Sequence, residues 1–390
     1  MHVLFVPSWY PADATDFSGS FFIEQAQALA MAGHDVGVIS VKGVPVYSPA
    51  QLRGRTPGIR LSVESEIRTY RMDKVLPFPK VPGGNERVLL HAWRVLLTRY
   101  ISENGRPDVL HAHAMFPAGV VTHALSDEFK IPFVVTEHRP SSMDRLNQKW
   151  NGVNGRRAAL AASALVAVAR GFAAELNDAY NIGQDKWQYV PGLLSPQFQD
   201  IPTRQIPDGP FIFGHVSHLD PGKRVDMLIE AFAEQFHNVD GVRLRIAGDS
   251  IHKAELETLA GSRGVGDKVD FVGAVQRKDI VAEFSSAHVF VLASVAEAFG
   301  TVLWEAMACG LPVVSTATWA GKNAVGEANG LLSAIDNREE LGQALVTIRE
   351  NFNSYVPEDI RAICVDHCGR EAFTSQYEML YTNAVQASRR

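Results

Sequence analysis

The stretch that most constrains this chain runs from Val289 to Pro312, VFVLASVAEAFGTVLWEAMACGLP. Val289 to Leu292 is a short apolar run without helical spacing, which predicts a buried strand. Ser294 to Gly300 carries small residues, Glu297 and a closing glycine, and reads as a loop. Thr301 to Ala308 predicts a helix, stopped by Gly310 and Pro312. A strand, a loop and a helix in that order make the repeating unit of a parallel α/β sheet. The helix start offers unpaired backbone N–H groups and a partial positive charge, so Phe299, Gly300 and Thr301 place donors where a phosphate can sit. Glu297 before the helix and Glu305 in its second turn can accept hydrogen bonds from hydroxyls on either side of that phosphate. A molecule with hydroxyls on both sides of a diphosphate is a nucleotide-sugar. An ordinary βα unit with two solvated glutamates is the alternative reading of the same residues.

The alternation extends along the chain. Val3 to Val6 reads as a strand, followed by a loop to Gly19, a helix from Ser20 to Ala32 and a strand from Val36 to Val41. That βαβ opening seeds a parallel sheet, whose ligands bind at the carboxyl ends of the strands. No G-x-G-x-x-G follows the first strand, which argues against a nicotinamide oxidoreductase. The loop carries instead FSGSFF, Phe17 to Phe22, with Gly19 just before the helix. Residues 42 to 104 yield only frequent proline and glycine and an amphipathic helix over Glu86 to Ile101. PDVLHAH, ending at His113, and IPFVVT, followed by Glu137 and His138, are further strands. His111 and His113 share a face at a period of two, which suits one packing and one lining a cleft better than a metal pair. Residues 192 to 210 have linker composition. From Phe211 the βα pattern restarts, and Lys223 falls near the start of a helix from Val225 to Glu234, placed to meet a phosphate. A helix closes the chain from Gly369 to Ala387.

Composition narrows the function classes. Net charge is −6, which gives no global basic field for nucleic acid. Arg53 to Arg68 with Arg87, Arg94 and Arg99 make the first half locally arginine-rich, read either as a solvated face or as a patch for an anionic membrane surface or acidic acceptor. Three cysteines, Cys309, Cys364 and Cys368, form no disulfide framework and match no zinc spacing. The opening MHVLFVPSWYPAD lacks the features of a signal peptide, and no window reaches the roughly 20 apolar residues of a membrane span. These features predict a cytoplasmic protein, at most peripheral to a membrane.

SVAEAFGTVLWEAMACGLP resembles the paired-glutamate motif of retaining glycosyltransferases with the GT-B fold, in the group called family 4. The resemblance covers most of the chain and is strongest from Gly214 to Gly310. It implies two doubly wound Rossmann-like domains facing across a cleft. The first, 1–195 joined by the terminal helix 372–390, would take the acceptor, and the second, 196–371, the nucleotide-sugar. The implied reaction moves a sugar from a nucleoside-diphosphate-sugar to an acceptor hydroxyl, on a glycan or lipid-linked molecule, with retention and without a metal or other cofactor. The resemblance places Glu305 on the ribose, Glu297 on the sugar, His138 beside the reacting sugar, and Gly19 and Lys223 at the diphosphate. His218 stands where the family usually has an arginine, with Arg224 a candidate to compensate. Ala320-Gly321 and Asn323 depart from a Gly-Gly pair and a Glu near the donor sugar. A GT-B sugar-nucleotide epimerase and a non-catalytic sugar-nucleotide-binding protein are the competing readings.

Overall fold

The computed structural model describes residues 1–390 apart from 13–15, 17–18, 65, 80, 82, 184, 203 and 390, and the side chain of Lys149. Phe17 and Ser18 of the FSGSFF segment therefore lie outside the described residues. The chain divides into two compact units, Met1–Leu193 with Phe373–Arg390, and Leu194–Ala372.

The first unit is built on eight strands: β1 (His2–Pro7), β2 (Asp35–Pro45), β3 (Ile59–Glu64), β4 (Ile67–Leu76), β5 (Val109–His113), β6 (Phe133–Glu137), β7 (Ala164–Ala167) and β8 (Trp187–Tyr189). Their order is β3-β4-β2-β1-β5-β6-β7-β8. All pairs are parallel except β3 with β4. The register sets Val3 beside both Val36 and Val109, so the central strands are covered on both faces and read as continuous apolar runs. Val3, Phe5, Val38, Val109 and Val134 form one core with Phe373, Tyr377 and Tyr381 of the closing helix, Arg370–Ser388. The end of the chain thus packs into the unit that holds its beginning.

The second unit is a six-stranded parallel sheet: β9 (Phe211–Val216), β10 (Val242–Ala247), β11 (Val269–Gly273), β12 (Val289–Leu292), β13 (Val313–Thr316) and β14 (Gly330–Ser333), in the order β11-β10-β9-β12-β13-β14. Separate apolar clusters cover its faces. One gathers Phe213, Leu228, Phe232 and Leu345, and the other Phe290, Leu303, Trp304 and Met307. The linker-like residues 194–199 are anchored to this unit: Leu194 and Phe198 are buried, and Arg361 donates to the Phe198 and Gln199 carbonyls.

Candidate active site

Both sheets reverse their winding once. β2 and β5 flank β1, and β10 and β12 flank β9. Loops leaving the carboxyl ends of the strands at such a reversal run apart and open a crevice. In the second unit those loops carry Lys223 and Glu297. The Gly222 carbonyl accepts from the Val295 amide at 3.0 Å, so backbone joins the two loops. Lys223 Nζ lies 2.5 Å from Glu297 Oε1, which also accepts from Ser294 Oγ at 2.9 Å. Both side chains are half-buried, at 29% and 15% exposure.

The helix Thr301–Ala308 follows at once. Gly300 is its left-handed N-cap, with φ 67°. A Cβ here would lie 2.6 Å from the Ala320 Cβ, so glycine is required by packing as well as by backbone conformation. The Leu303 amide donates to the Gly300 carbonyl, and Thr301 and Val302 head the helix with no backbone acceptor of their own within it. Phe299 stacks on Trp304, whose indole N–H donates to the Phe299 carbonyl at 3.2 Å. Replacing Gly300 with Ala is expected to destabilise the second unit by about 1–3 kcal/mol, read as a lowered urea midpoint. An unchanged midpoint would show that the turn relaxes without cost.

Glu305 is buried at 6% exposure, one turn into the helix. Its Oε1 accepts from Ser195 Oγ at 3.1 Å, and Arg277 Nη2 donates to the same hydroxyl at 2.7 Å. Arg277 Nη1 lies 3.6 Å from Glu305 Oε1. The buried Glu305 carboxylate can only accept, and Ser195 and the partly exposed Arg277 are among its partners. Beneath these loops His215 is fully buried in β9. Its Nδ1 lies 2.9 Å from the Val291 carbonyl, which can only accept, so Nδ1 carries the proton and Nε2 accepts from Ser217 Oγ at 2.7 Å. Burial, followed by the nearby Lys223 charge, pulls its pKa down to about 4.

In the first unit His138 follows β6. It is packed among Phe21, Phe22 and Trp9, with His113 stacked on it. Burial, with a smaller push from Arg139, lowers its pKa to about 3. His138 Nε2 meets His113 Nδ1 at 3.1 Å, which leaves Nδ1 as its nitrogen without a partner among the described residues. His111 and His113 are both fully buried. His111 bridges Tyr381 Oη at 2.7 Å and Thr136 Oγ1 at 2.8 Å, tying the closing helix to the sheet. The expectation that one of the two would line a cleft gives way to a buried column in which His113 supports His138. Glu137 is buried as well and accepts from the Met115, His138 and Arg139 amides. Gly19 caps the helix Ser20–Met31 with φ 85°, and a Cβ there would lie 2.9 Å from Trp9 Cδ1.

Two further expected phosphate ligands, Arg224 and His218, lie on the same loop as Lys223. The Arg224 guanidinium is held by Asp226 and Asp336. His218 is exposed, and its carbonyl accepts from the Asp220 amide. Conversely, Ser195, His215, Arg277 and Ser294 belong to the site without having been expected there. His215 and Ser294 had a signal, a polar residue inside or just after an apolar strand; Ser195 and Arg277 lie far from the motif in sequence and had none. Among the described residues no cluster of three potential metal-ligating side chains occurs.

Two doubly wound Rossmann-like units, each with its polar residues at the switch point, define the GT-B fold. The chain belongs to the family of glycosyl transferases, matching the description glycosyltransferase family 4 over residues 18–197 and glycosyl transferases group 1 over 197–355. It is 27% identical over 276 residues to D-inositol 3-phosphate glycosyltransferase of Mycolicibacterium smegmatis, covering 66% of this chain and 62% of that one. It is 29% identical to N-acetyl-alpha-D-glucosaminyl L-malate synthase of Bacillus anthracis, covering 44% of this chain and 45% of that one. Among solved structures, sucrose-phosphate synthase from Thermosynechococcus elongatus superposes with a TM-score of 0.74 at 20% identity, over 99% of both chains. Anabaena HepE in complex with UDP and glucose superposes with a TM-score of 0.70 at 19% identity, over 98% of this chain and 99% of that one.

Proposed function

We propose that this chain transfers a sugar from a nucleoside-diphosphate-sugar to an acceptor hydroxyl, with retention at the anomeric carbon and without a metal ion. The observation that carries the reading is the second-unit crevice, where the Lys223–Glu297 pair joins the loops after the adjacent strands β9 and β12, and the Gly300–Thr301 helix start and the buried Glu305 follow directly in the next helix. Departure of a nucleoside diphosphate builds negative charge on its leaving oxygens. Lys223 and the amides at the helix start supply fixed positive ends for that charge. Glu305 accepts from the ribose hydroxyls and Glu297 from those of the sugar. His138 is neutral throughout the working pH range, because its pKa is about 3. It therefore acts as a hydrogen-bonding positioner of the reacting sugar or acceptor through Nδ1, not as a proton shuttle. Gly19 is assigned to the diphosphate. Lys223 is the cation assigned to the phosphate, Arg224 being held by two carboxylates.

Uridine diphosphate sugars lead the donor candidates, since HepE holds UDP and glucose. The relatives' names point to hydroxyl acceptors that carry negative charge, inositol phosphate and malate. The test is a thermal-shift screen against UDP-, GDP-, ADP- and dTDP-sugars, with and without EDTA. One nucleotide is expected to raise Tm in both conditions, and Glu305→Ala to abolish the rise. A shift that vanishes in EDTA would overturn metal independence. Turnover of the donor without any acceptor would indicate an epimerase instead.

A further inference from the structure

The first unit carries a groove of about 700 Å³ remote in sequence from the motif loops, continuous with a second of about 440 Å³ through their shared walls, Phe78 and Val81. Two glycines pave its floor. A Cβ on Gly83 would lie 2.7 Å from the Trp150 ring, and one on Gly84 the same distance from the Phe78 Cβ. Both apolar side chains thus lie directly on backbone. They are nevertheless open to solvent: Phe78 is 46% exposed, Val81 55% and Trp150 44%.

One wall is the helix Lys149–Ala161, whose outer face inverts the usual pattern. Trp150, Val153, Arg157 and Leu160 recur at helical spacing, and all four are exposed, Leu160 at 65%. The opposite wall is the helix Gly84–Asn104, which presents Arg87 and His91 one turn apart on its exposed face. Lys74 of β4 completes this rim.

Five arginines of the first unit are neutralised, whereas the cations of this rim are not. Arg60, Arg68, Arg71, Arg94 and Arg99 are each bound to a carboxylate. Among the described residues, Lys74, Arg87 and Arg157 have no such partner, and Glu86 is the one acid on the groove wall. Exposed aromatic and aliphatic side chains ringed by unneutralised cations match the two halves of an amphiphile, apolar chains and an anionic headgroup.

We propose that this face docks on a bilayer containing anionic lipid, with Trp150, Phe78 and Val81 entering the interface and Lys74, Arg87 and Arg157 meeting the headgroups. On the proposed transferase reading, the face would bring the first unit to acceptors held at a membrane, but docking requires no donor and is measured separately from transfer.

The experiment is co-sedimentation of the full chain with vesicles of phosphatidylcholine alone and of phosphatidylcholine with 30 mol% phosphatidylglycerol, a composition chosen to give a moderate negative surface. Binding is expected only to the anionic vesicles, and to fall as salt rises because surface charges are screened. Arg87→Glu with Arg157→Glu is expected to weaken it by at least about 25-fold, roughly fivefold for each cation removed. Trp150→Ser should also weaken it, and all variants should keep the wild-type Tm shift with donor. Equal binding to both vesicle types, retention by the double variant, no binding at all, or a concentration-dependent dimer that buries Trp150 instead would each overturn the proposal. Absence of a donor shift in the wild type would count against the transferase reading and leave the vesicle result standing.

Discussion

Lys223→Ala is expected to slow sugar transfer by a factor of about 100 to 1,000. The size follows from where the ammonium sits. The loops after β9 and β12 are joined by the Val295–Gly222 backbone bond, and Glu297 is fixed from its other side by Ser294. The 2.5 Å contact therefore holds the charge in place before a donor arrives, and no reorganisation is needed as the diphosphate departs. The variant suffers a second penalty, since it leaves the Glu297 carboxylate at 15% exposure without its cation and facing the diphosphate. Lys223→Ala and Glu297→Gln should accordingly be non-additive, the double variant losing less than the product of the singles. Lys223→Arg should retain part of the activity. Kinetics under donor-saturating and subsaturating conditions check this. A Lys223→Ala enzyme within about threefold of wild type in kcat/KM would remove Lys223 from the leaving-group site.

Much of this crevice was legible because its parts are contiguous. Strand, loop and helix from Val289 to Ala308 follow one another in sequence, and the punctuation of Gly300, Gly310 and Pro312 marks the boundaries found in the structure. The alternation of apolar strands and amphipathic helices identified both parallel sheets for the same reason, since period and punctuation are local properties. What escaped depends on tertiary placement. β3 and β4 form an antiparallel pair in which Ile59, Leu61 and Val63 alternate with polar residues, yet the apolar members are exposed, so burial does not follow the pattern. β14 is only Gly330–Ser333, too short to show a period. Ser195 reaches Glu305 across 110 positions, and no spacing rule connects them. Arg224 shows the converse. Its sequence neighbourhood suits a phosphate, while the fold also brings its guanidinium to Asp226 and Asp336.

Acid should destabilise this protein well before its carboxylates protonate, and His215 is the residue that isolates the effect. Its folded pKa of about 4 lies below the ordinary value of 6.5. Between those two pH values the unfolded chain binds a proton at this position and the folded one does not, so stability falls as pH drops. Over the whole window this single group accounts for about 3 kcal/mol. Burial is the main reason the proton is refused, and since Nδ1–H already serves the Val291 carbonyl, a proton must enter at Nε2, where Ser217 now donates and Lys223 repels. His111, His113 and His138 push in the same direction, all lowered by burial. Buried Glu137 opposes them, because burial raises its pKa and the folded state gains its proton first as pH falls. The first unit therefore shows a mixed response, whereas in the second the contribution of His215 can be read by substitution. His215→Asn keeps a donor for Val291 and does not titrate in this range. Calorimetric unfolding from pH 7.5 to 4.5 should show the second-unit transition falling steeply in wild type and more gently in His215→Asn. Parallel curves would mean that His215 takes up its proton in the folded state after all. In that case the hydroxyl of Ser217 turns to accept, and the repulsion from Lys223 is relieved by the Glu297 carboxylate that already holds it.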